Sequence, residues 1–243
     1  MQTVANLIID IGNTTTKAAF AEGLKLGKTH RYQGENVLDF IKELTLISLP
    51  DVIIISSVRT FGDGFFSDLT SVCKKLLILN DKTELPIVNG YATPSTLGPD
   101  RLSAAVAASY LFPKKNCIIF DFGTALTIDF INEKNEFAGG NISLGIRTRF
   151  KALNHYTQQL PLLDNPKEVT MIGGTTKEAI ESGVVLGLIF EVEGYMNRFP
   201  DHTYIFTGGD AIYFAEKMKS SIFVVYNLVL MGLAHIADYH AKF

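Results

Sequence analysis

The sequence has few cysteines and no recognisable export segment. Cys73 and Cys117 are its only cysteines among 243 residues. The first residues carry no basic segment ahead of an apolar run, so we expect no secretory signal peptide. Two cysteines and no such signal are typical of the reducing cytoplasm, where disulfides are rare. Cys117 borders a strand-like apolar run and is expected to behave as a small buried hydrophobic residue.

A long hydrophobic run and a surplus of positive charge are also missing. The most apolar stretch, residues 222–237, is interrupted by Asn227 and His235, whereas a membrane-spanning helix needs about 20 mainly apolar residues. We therefore expect a buried strand and then a core helix there, and no membrane partner. The 22 basic and 25 acidic residues give a net charge of -3, which argues against a nucleic-acid partner or an anionic membrane surface.

Several common catalytic motifs are absent. The five histidines have no paired cysteines and form no His-Glu-x-x-His helix, so zinc hydrolysis has no support. No Gly-x-x-x-x-Gly-Lys-Ser/Thr loop occurs, which excludes a P-loop enzyme by pattern, and Rossmann-type glycine patterns are absent too. Any phosphate-binding site must therefore be built in another way.

The most informative segment of the sequence is residues 7–17. A β-branched apolar run contains Asp10, continues through Gly12 and a series of polar residues, and leads into a second apolar run at residues 18–21. This pattern predicts a hairpin with a polar tip. Turn N–H groups bind anions and a carboxylate binds a cation, so the tip can hold a phosphate and a metal ion together.

Residues 118–130 repeat this pattern around Asp121. Asp10 and Asp121 each precede a glycine and a threonine-bearing turn, and an unpaired carboxylate in so apolar a strand costs several kcal/mol of desolvation. A bound cation would remove that cost. Asp129 is a weaker candidate, because it flanks the return strand and can simply terminate it.

The segments between the hairpins alternate between helix and strand signals. We predict a helix at residues 37–46, a buried strand at 52–58, a helix at 64–75 and a further strand at 76–79. This βαβα order predicts a mainly parallel sheet covered by helices. The 47% hydrophobic content allows one large or two small domains.

The loop at residues 91–101 leads into a strongly helical segment at residues 102–111. Asp100 and Arg101 therefore lie at a helix N-terminus, where the helix dipole favours an ionised carboxylate that can accept a proton or bind a cation. In the alternative interpretation Asp100 only caps the helix and Arg101 pairs with a surface acid.

The second half contains glycines that suggest close backbone approaches or positive φ angles. Gly139, Gly140 and Gly145 surround a single isoleucine, and a helix is predicted at residues 147–160. Residues 162–171 are irregular and are predicted to form a mobile surface loop.

A later helix is predicted to begin with a capping box formed by Thr175 and Glu178. Gly183 and Gly187 on that helix indicate either a homodimer interface or an intramolecular helix crossing. Residues 203–211 are predicted to form a strand, a Gly-Gly turn and the start of a helix. Such a turn allows a flat ligand or a packed helix to approach bare backbone.

These motifs resemble those of a known superfamily. The two hairpins and the Thr207-Gly208-Gly209 turn resemble the phosphate and adenosine motifs of the acetate kinase, sugar kinase, Hsp70 and actin superfamily. Within it, three motifs closely resemble those of the type III pantothenate kinases: Gly98-Pro99-Asp100-Arg101, Gly139-Gly140-Asn141-Ile142, and Thr176 with Ala179, Ile180 and Gly183. The resemblance extends along nearly the whole chain and includes the order of the motifs.

The resemblance implies an α/β fold of duplicated actin-like (ribonuclease H-like) domains, with mixed sheets flanked by helices and a ligand cleft between them. We divide the chain into residues 1–114, with the first hairpin and the substrate loop, and residues 115–243, with the second hairpin and the adenosine-type turn. The family is also similar in being cytoplasmic and dimeric, with part of the pantothenate pocket supplied across the dimer interface.

The resemblance also implies the roles of individual residues. Asp100 corresponds to the proton acceptor, Thr124 to an ATP contact, and Asp121 to the position that binds a monovalent cation, potassium or ammonium. Asp10 acts on the Mg²⁺ side, directly or through water. The residues implied to contact the ATP phosphates are Asp10, Ile11, Gly12, Asn13, Thr14, Thr15, Thr16 and Lys17. Those implied to bind pantothenate are Tyr91, Gly98, Pro99, Asp100, Arg101 and Thr176.

The sequence departs from the family pattern at one position. The glycine-rich segment of the family continues Gly-Gly-x-Ile-x-Pro-Gly, whereas Leu144 occupies the position of the proline here. We expect a turn of lower rigidity rather than a loss of activity. The predicted function is ATP-dependent phosphorylation of pantothenate, the first step of coenzyme A biosynthesis. The alternatives are a non-catalytic regulatory binding protein of the same fold and a kinase for another small alcohol.

Overall fold

The computed structural model describes residues 5–218 and 220–240, except for the side chain of Asp63. The chain forms two compact units. The first contains residues 5–114, 131–139 and 227–240, and the second contains residues 115–130, 140–218 and 220–226.

Eleven strands lie in the described part of the chain: β1 (Asn6–Ile11), β2 (Thr16–Glu22), β3 (Lys25–Tyr32), β4 (Val52–Ser57), β5 (Lys75–Ile78), β6 (Val88–Asn89), β7 (Cys117–Phe122), β8 (Ala125–Ile131), β9 (Glu136–Leu144), β10 (Thr203–Gly208) and β11 (Phe223–Val224). The α-helices there are α1 (Val37–Ile47), α2 (Asp63–Thr70), α3 (Pro99–Leu111), α4 (Ile146–Tyr156), α5 (Thr176–Arg198), α6 (Ala211–Lys217) and α7 (Leu228–His240), and Pro94–Thr96 forms a short 3₁₀ helix.

The first unit contains a mixed sheet in the order β3-β2-β1-β4-β5. β1 pairs antiparallel with β2 and parallel with β4, and the β2–β3 pair is also antiparallel. The prediction of a mainly parallel sheet was therefore wrong here. Short turns join β1, β2 and β3, and a short turn requires antiparallel neighbours; only strands connected through a helix run parallel.

Successive side chains of β1 point to opposite faces of this sheet, and both faces are buried there. Leu7, Ile9 and Ile11 join a core cluster with residues of α1 and α2, whereas α7 packs against β1 and β4 and α3 packs against β4. Ile8 points away from that cluster and is also fully buried. Gly232 in α7 lies so close to the Ser103 carbonyl of α3 that an added Cβ would overlap it, so a glycine is needed at this helix crossing.

The second sheet has the order β11-β10-β7-β8-β9-β6. The pairs formed by β10 with β7 and with β11 are parallel, and the β6–β9 pairing lies within the first unit. The core of the second unit is rich in aromatic rings that contact one another, and these include Phe120, Phe122, Phe206 and Phe214. The predicted capping box at the start of α5 is confirmed, since the Glu178 N–H donates to Thr175 Oγ1 and the Thr175 N–H donates to Glu178 Oε2, each at 3.2 Å.

Several sequence-based boundaries differ from the structure. Residues 131–139 and α7 belong to the first unit rather than the second, because α7 packs against α3 and against β1 and β4. The helix predicted at residues 64–75 ends at Thr70, and the one predicted at 147–160 ends at Tyr156. Asp129 lies inside β8 and is 1% exposed, so it does not terminate that strand.

The predicted strand and helix near the end of the chain are confirmed as β11 and α7, although β11 is short and partly exposed. No helix among the described residues is long and apolar enough to cross a membrane. Cys117 is fully buried as predicted, and burial raises the pKa of its thiol to about 11.

Candidate functional site

The first predicted hairpin is confirmed as β1 and β2. Its turn closes with a hydrogen bond from the Gly12 N–H to the Thr15 carbonyl at 3.1 Å. Gln33 Nε2 donates to Thr15 Oγ1 at 3.3 Å. The turn therefore displays short polar residues and backbone amides at the end of β1, the arrangement that an anion-binding turn requires.

Strand register gives the residues of this hairpin different surroundings. Asp10 lies opposite Lys17 on β2 and Ser56 on β4, so these three side chains project from the same face of the sheet. Ile11 lies opposite Thr16, and both side chains are fully buried on the other face. Contacts of these two residues with a nucleotide would therefore use the backbone.

Asp10 has a setting that suits a hard metal ion. Its side chain is only 8% exposed, and the adjacent Ser56 hydroxyl, which is fully buried, makes no hydrogen bond within the described part of the chain. Carboxylate and hydroxyl oxygens are hard ligands, and Mg²⁺ is commonly held by one or two carboxylates together with substrate phosphates. Residues 5–218 and 220–240 contain no group of three or more His, Cys, Asp or Glu side chains that could hold a metal by themselves.

Arg101, in the first turn of α3, lies beside two neighbouring aromatic rings. Arg101 is 6% exposed, and its guanidinium carbon lies 5.9 Å from the ring centres of both Tyr91 and Phe137. The backbone of Tyr91 is fixed by a 3.0 Å hydrogen bond from its N–H to Asn89 Oδ1. Burial excludes the alternative in which Arg101 forms an exposed ion pair.

Asp100 lies in the first turn of α3, beside Arg101. The helix N-cap is Gly98 and Pro99 is the first helical residue, so Asp100 is not the cap itself, although its Oδ1 accepts a 2.9 Å hydrogen bond from the Arg101 N–H. Gly98 packs so closely on this carboxylate that an added Cβ would overlap Oδ1.

The electrostatic setting of Asp100 differs from the sequence-based expectation. Burial raises the pKa of its carboxyl, and the hydrogen bond from the Arg101 N–H and the positive charge of Arg101 only partly oppose that rise. We expected the helix start to favour the ionised form; desolvation has the larger effect. A raised pKa makes this carboxylate a stronger base once it is ionised.

The second predicted hairpin is confirmed as β7 and β8. Its turn is tighter than the first, since the Gly123 N–H donates to the Ala125 carbonyl at 3.0 Å. The Thr124 carbonyl accepts hydrogen bonds from the Gly145 N–H at 3.1 Å and from Thr148 Oγ1 at 2.6 Å. The start of α4 is therefore attached directly to the turn of this hairpin.

Glycines allow three backbone segments to meet around Asp121. A Cβ on Gly145 would overlap the Gly123 carbonyl, and a Cβ on Gly208 would overlap Asp121 Oδ1. Gly208 also has a φ of +93° and Gly139 one of +117°, which glycine adopts readily. The predicted close approaches are therefore confirmed, and Asp121 lies beside the Gly-Gly turn that follows β10, opposite Thr207.

Leu144, the departure from the family pattern, is the last residue of β9. Its carbonyl accepts a 2.8 Å hydrogen bond from Arg149 Nε, and the next residue, Gly145, is bonded to Thr124. These two contacts fix the turn without a proline.

The irregular segment at residues 162–171 contains no helix or strand, as predicted. Side chains of α6 nevertheless contact it, since Tyr213 Oη donates to the Pro166 carbonyl at 2.8 Å. Asn165 Nδ2 donates to Asp210 Oδ1 at 3.2 Å. Burial raises the pKa of Asp210, and the positive charge of Arg147 and the Asn165 hydrogen bond lower it in part.

Thr176 is exposed at the start of α5. It borders a groove between α4 and α5 with a cavity volume of about 830 Å³, lined mainly by apolar side chains that include Leu153, Tyr156 and Ile180. Gly183 lies on the same groove, and an added Cβ there would meet no atom within 4 Å. Among the residues that the structure describes, therefore, no crossing helix occupies the space directly above Gly183.

Three residues of the first unit were missed by sequence reasoning, and the first is Ser56, which lies opposite Asp10. Phe137 supplies the second ring beside Arg101. Arg59 donates from Nε and Nη2 to the Gly12 and Asn13 carbonyls at 2.8 and 2.9 Å. A signal for Arg59 was available, because it follows a buried strand, and polar groups at the carboxyl ends of neighbouring parallel strands gather at one edge.

Solved structures define the class of protein first. The chain superimposes on a protein titled as an activator of 2-hydroxyisocaproyl-CoA dehydratase from Clostridium difficile with bound ADPNP (TM-score 0.59, 13% identity, 98% of this chain and 96% of that one). It also superimposes on a ROK hexokinase from Thermus thermophilus (TM-score 0.54, 12% identity, 98% and 100%). A Campylobacter jejuni protein described as a Baf family transcriptional activator gives a TM-score of 0.68 at 20% identity, with 98% of this chain and 100% of that one covered. At these identities the likeness shows the fold, and the predicted actin-like α/β class is confirmed.

Sequence comparison then gives the family. The profile of the type III pantothenate kinases matches residues 6–198. A type III pantothenate kinase of Cytophaga hutchinsonii is 42% identical over 97% of this chain and 99% of its own length. That of Phocaeicola vulgatus is 40% identical over 98% and 99%. The chain belongs to the type III pantothenate kinase family, and the predicted resemblance is confirmed.

Proposed function

We propose that this protein transfers the γ-phosphoryl group of ATP to pantothenate and forms 4′-phosphopantothenate, the first step of coenzyme A biosynthesis. The proposal rests on one main observation: the partly buried carboxylate of Asp100 and the buried guanidinium of Arg101 are adjacent at the start of α3. The kinase family supports the use of ATP and a divalent metal ion.

We assign the proton transfer to Asp100. In the reaction the primary hydroxyl oxygen of pantothenate forms a bond to the γ-phosphorus, and the bond from that phosphorus to the β–γ bridging oxygen breaks, with its electron pair leaving on ADP. The hydroxyl proton passes to the Asp100 carboxylate. The raised pKa of that carboxyl suits a general base.

We assign recognition of the pantothenate carboxylate to Arg101. A guanidinium binds a carboxylate through two parallel N–H bonds, and this requires a fixed plane. The rings of Tyr91 and Phe137 at 5.9 Å provide aromatic neighbours that restrict the plane of Arg101.

We assign the phosphates of ATP to the first hairpin, with Asp10 and the Ser56 hydroxyl as oxygen ligands on the Mg²⁺ side. Mg²⁺, when bound, offsets the charge that develops on the transferring phosphate. Asp121 offers one carboxylate to a potassium or ammonium ion, and Thr124 lies at the tip of the same hairpin. The backbone contacts of Gly145 and Gly208 hold this second hairpin in place.

We also propose that the protein is a homodimer and that the second copy covers the groove between α4 and α5. The groove is apolar, and on the same unit Tyr156 is 83% and Phe190 54% exposed. Large exposed apolar patches are typical of protein interfaces. Thr176 lies at the rim of this groove, so dimerisation would cover the start of α5.

The test is an assay of the purified protein with ATP, Mg²⁺, potassium and pantothenate, with mass spectrometry of the product. We expect ADP and 4′-phosphopantothenate in equal amounts. The absence of product across a range of divalent and monovalent ions would refute the assignment. A panel of other small alcohols detects a different kinase, and a regulatory binding protein would consume no ATP with any of them.

A further inference from the structure

Arg59 follows β4 and binds the turn of the first hairpin. Its Nε donates to the Gly12 carbonyl at 2.8 Å, and its Nη2 donates to the Asn13 carbonyl at 2.9 Å. The backbone of Arg59 is itself fixed by Ser57, whose Oγ accepts from the Arg59 N–H at 3.0 Å and donates to the Arg59 carbonyl at 2.9 Å. A single guanidinium therefore joins the end of β4 to two successive peptide groups of the turn.

The planarity of the peptide bond determines what these two hydrogen bonds do. In a trans peptide group the C=O and the next residue's N–H point in opposite directions. The Gly12 carbonyl belongs to the same plane as the Asn13 N–H, and the Asn13 carbonyl to the same plane as the Thr14 N–H. Because Arg59 binds both carbonyls, it directs both N–H groups away from itself, and a cation at the carbonyl side also polarises the N–H groups as donors.

We propose that Arg59 is a positioning residue that orients the Asn13 and Thr14 amides toward the terminal phosphates of the nucleoside triphosphate. The inference rests on the proposed ATP-dependent function. Arg59 acts through the hairpin and not on the reacting atoms. Preorganised amides do not need to reorient when the phosphate arrives, which is the main advantage of a fixed anion-binding turn.

In a competing explanation, Arg59 acts only through its positive charge, as a cation near the phosphates. The Arg59→Lys variant distinguishes the two explanations. Lysine keeps the positive charge but lacks the planar guanidinium that can donate to two carbonyls at once. Positioning predicts that Arg59→Lys behaves like Arg59→Ala, and a role of charge alone predicts that Arg59→Lys behaves like the wild type.

Steady-state kinetics with ATP and pantothenate varied in turn provide the first test. We expect Arg59→Lys and Arg59→Ala each to raise the KM for ATP by about 10-fold, since hydrogen bonds from a charged donor are lost, while the KM for pantothenate stays unchanged. Free guanidinium at millimolar concentration should partly restore the Ala variant and not the Lys variant. Arg198→Ala, which removes an exposed arginine at the end of α5, is the matched control. An Arg59→Lys enzyme with a wild-type KM for ATP would overturn the proposal.

The amide resonances of Asn13 and Thr14 provide a second test that needs no turnover. We expect both ¹⁵N–¹H resonances of the nucleotide-free protein to shift in Arg59→Lys and, by less, in Ser57→Ala, which loosens only the Arg59 backbone. Unchanged resonances in both variants would also overturn the proposal. If the wild type fails to phosphorylate pantothenate while these resonances shift, the proposed substrate is wrong and the positioning role of Arg59 stands.

Discussion

The guanidinium carbon of Arg101 lies 5.9 Å from the centre of the Tyr91 ring and equally far from that of Phe137. Phe137 is fully buried, and Arg101 is nearly so. A strongly hydrated ammonium group is poorly suited to such a setting, whereas a guanidinium is weakly hydrated and stacks on aromatic faces. The contact explains why arginine and lysine are not interchangeable at this position.

Arg101→Lys should therefore weaken pantothenate binding selectively. We expect the KM for pantothenate to rise roughly 10- to 100-fold, because a single point charge replaces the proposed bidentate contact with the pantothenate carboxylate. The KM for ATP should change little. Arg198→Lys makes the same replacement at an exposed position and should leave both constants unchanged. Equal rises in the two KM values would argue against a contact specific to pantothenate.

Asp100→Asn should remove the proposed proton acceptor and leave the fold intact. We expect turnover to fall by on the order of 10²- to 10⁴-fold, the usual contribution of a positioned general base. Since the pKa of Asp100 is raised by burial, the acidic limb of the wild-type kcat/KM profile should lie above the pH expected of an ordinary aspartate. A variant that retains normal turnover would exclude Asp100 as the base.

The same substitution should increase stability at neutral pH. A carboxyl whose pKa is higher in the folded than in the unfolded protein binds its proton more tightly when folded. Its contribution to stability is complete below the unfolded pKa and is lost as the pH rises through the raised folded value. Asp100→Asn should therefore have a higher Tm than the wild type at pH 7, and the difference should shrink in acid. Thermal unfolding at pH 7 and in acid measures this, and a difference that grows in acid would contradict the assigned direction of the pKa.

Gly145→Ala should disturb the second hairpin. The added Cβ would overlap the Gly123 carbonyl and lie 2.8 Å from the Thr124 carbonyl, so we expect a loss of about 1–3 kcal/mol in the free energy of unfolding and weaker ATP binding. Gly194→Ala in α5 is the control, because its Cβ meets no atom within 4 Å and alanine favours a helix by about 1 kcal/mol. Chemical denaturation should show opposite signs for the two variants, and a neutral Gly145→Ala would refute the close contact.

Gly183→Glu should convert the proposed homodimer into a monomer. The space above Gly183 is open within the chain, so the variant should fold, but a charge there would be buried if a second copy covers the groove between α4 and α5. Sedimentation or light scattering should give close to 26.8 kDa for the variant and twice that mass for the wild type. Gly64→Glu, at an exposed position of α2 with equally open space, should remain dimeric. A monomeric wild type would refute the proposed homodimer.

The regulatory alternative is supported only at the level of the fold. The Baf family transcriptional activator has a TM-score of 0.68 but 20% identity, whereas the relatives at 42% and 40% identity over nearly the whole chain are named type III pantothenate kinases. Asp100, Arg101 and Thr176 are all present. The chain thus retains the residues that a non-catalytic descendant would be free to lose.

Several features could be predicted from residues that are close together in the sequence. The alternation and turn residues predicted both hairpins, and the Thr175–Glu178 spacing predicted the capping box, because these structures depend on residues within a few positions of one another. The start of α3 was also predictable from its proline and acidic first turn. The assignment of the family needed the order of several such motifs along the chain.

Tertiary structure decided the features that depend on distant neighbours. The sequence does not show that α7 packs with the first unit through Gly232, that Phe137 lies against Arg101, or that burial raises the pKa of Asp100 despite the helix dipole. These outcomes follow from solvent exclusion and contact between segments far apart in the chain, which a local pattern cannot encode. The hydrogen bonds from Arg59 to the turn at Gly12 and Asn13, 46 to 47 residues away, have the same origin: they exist because β4 pairs in parallel beside β1.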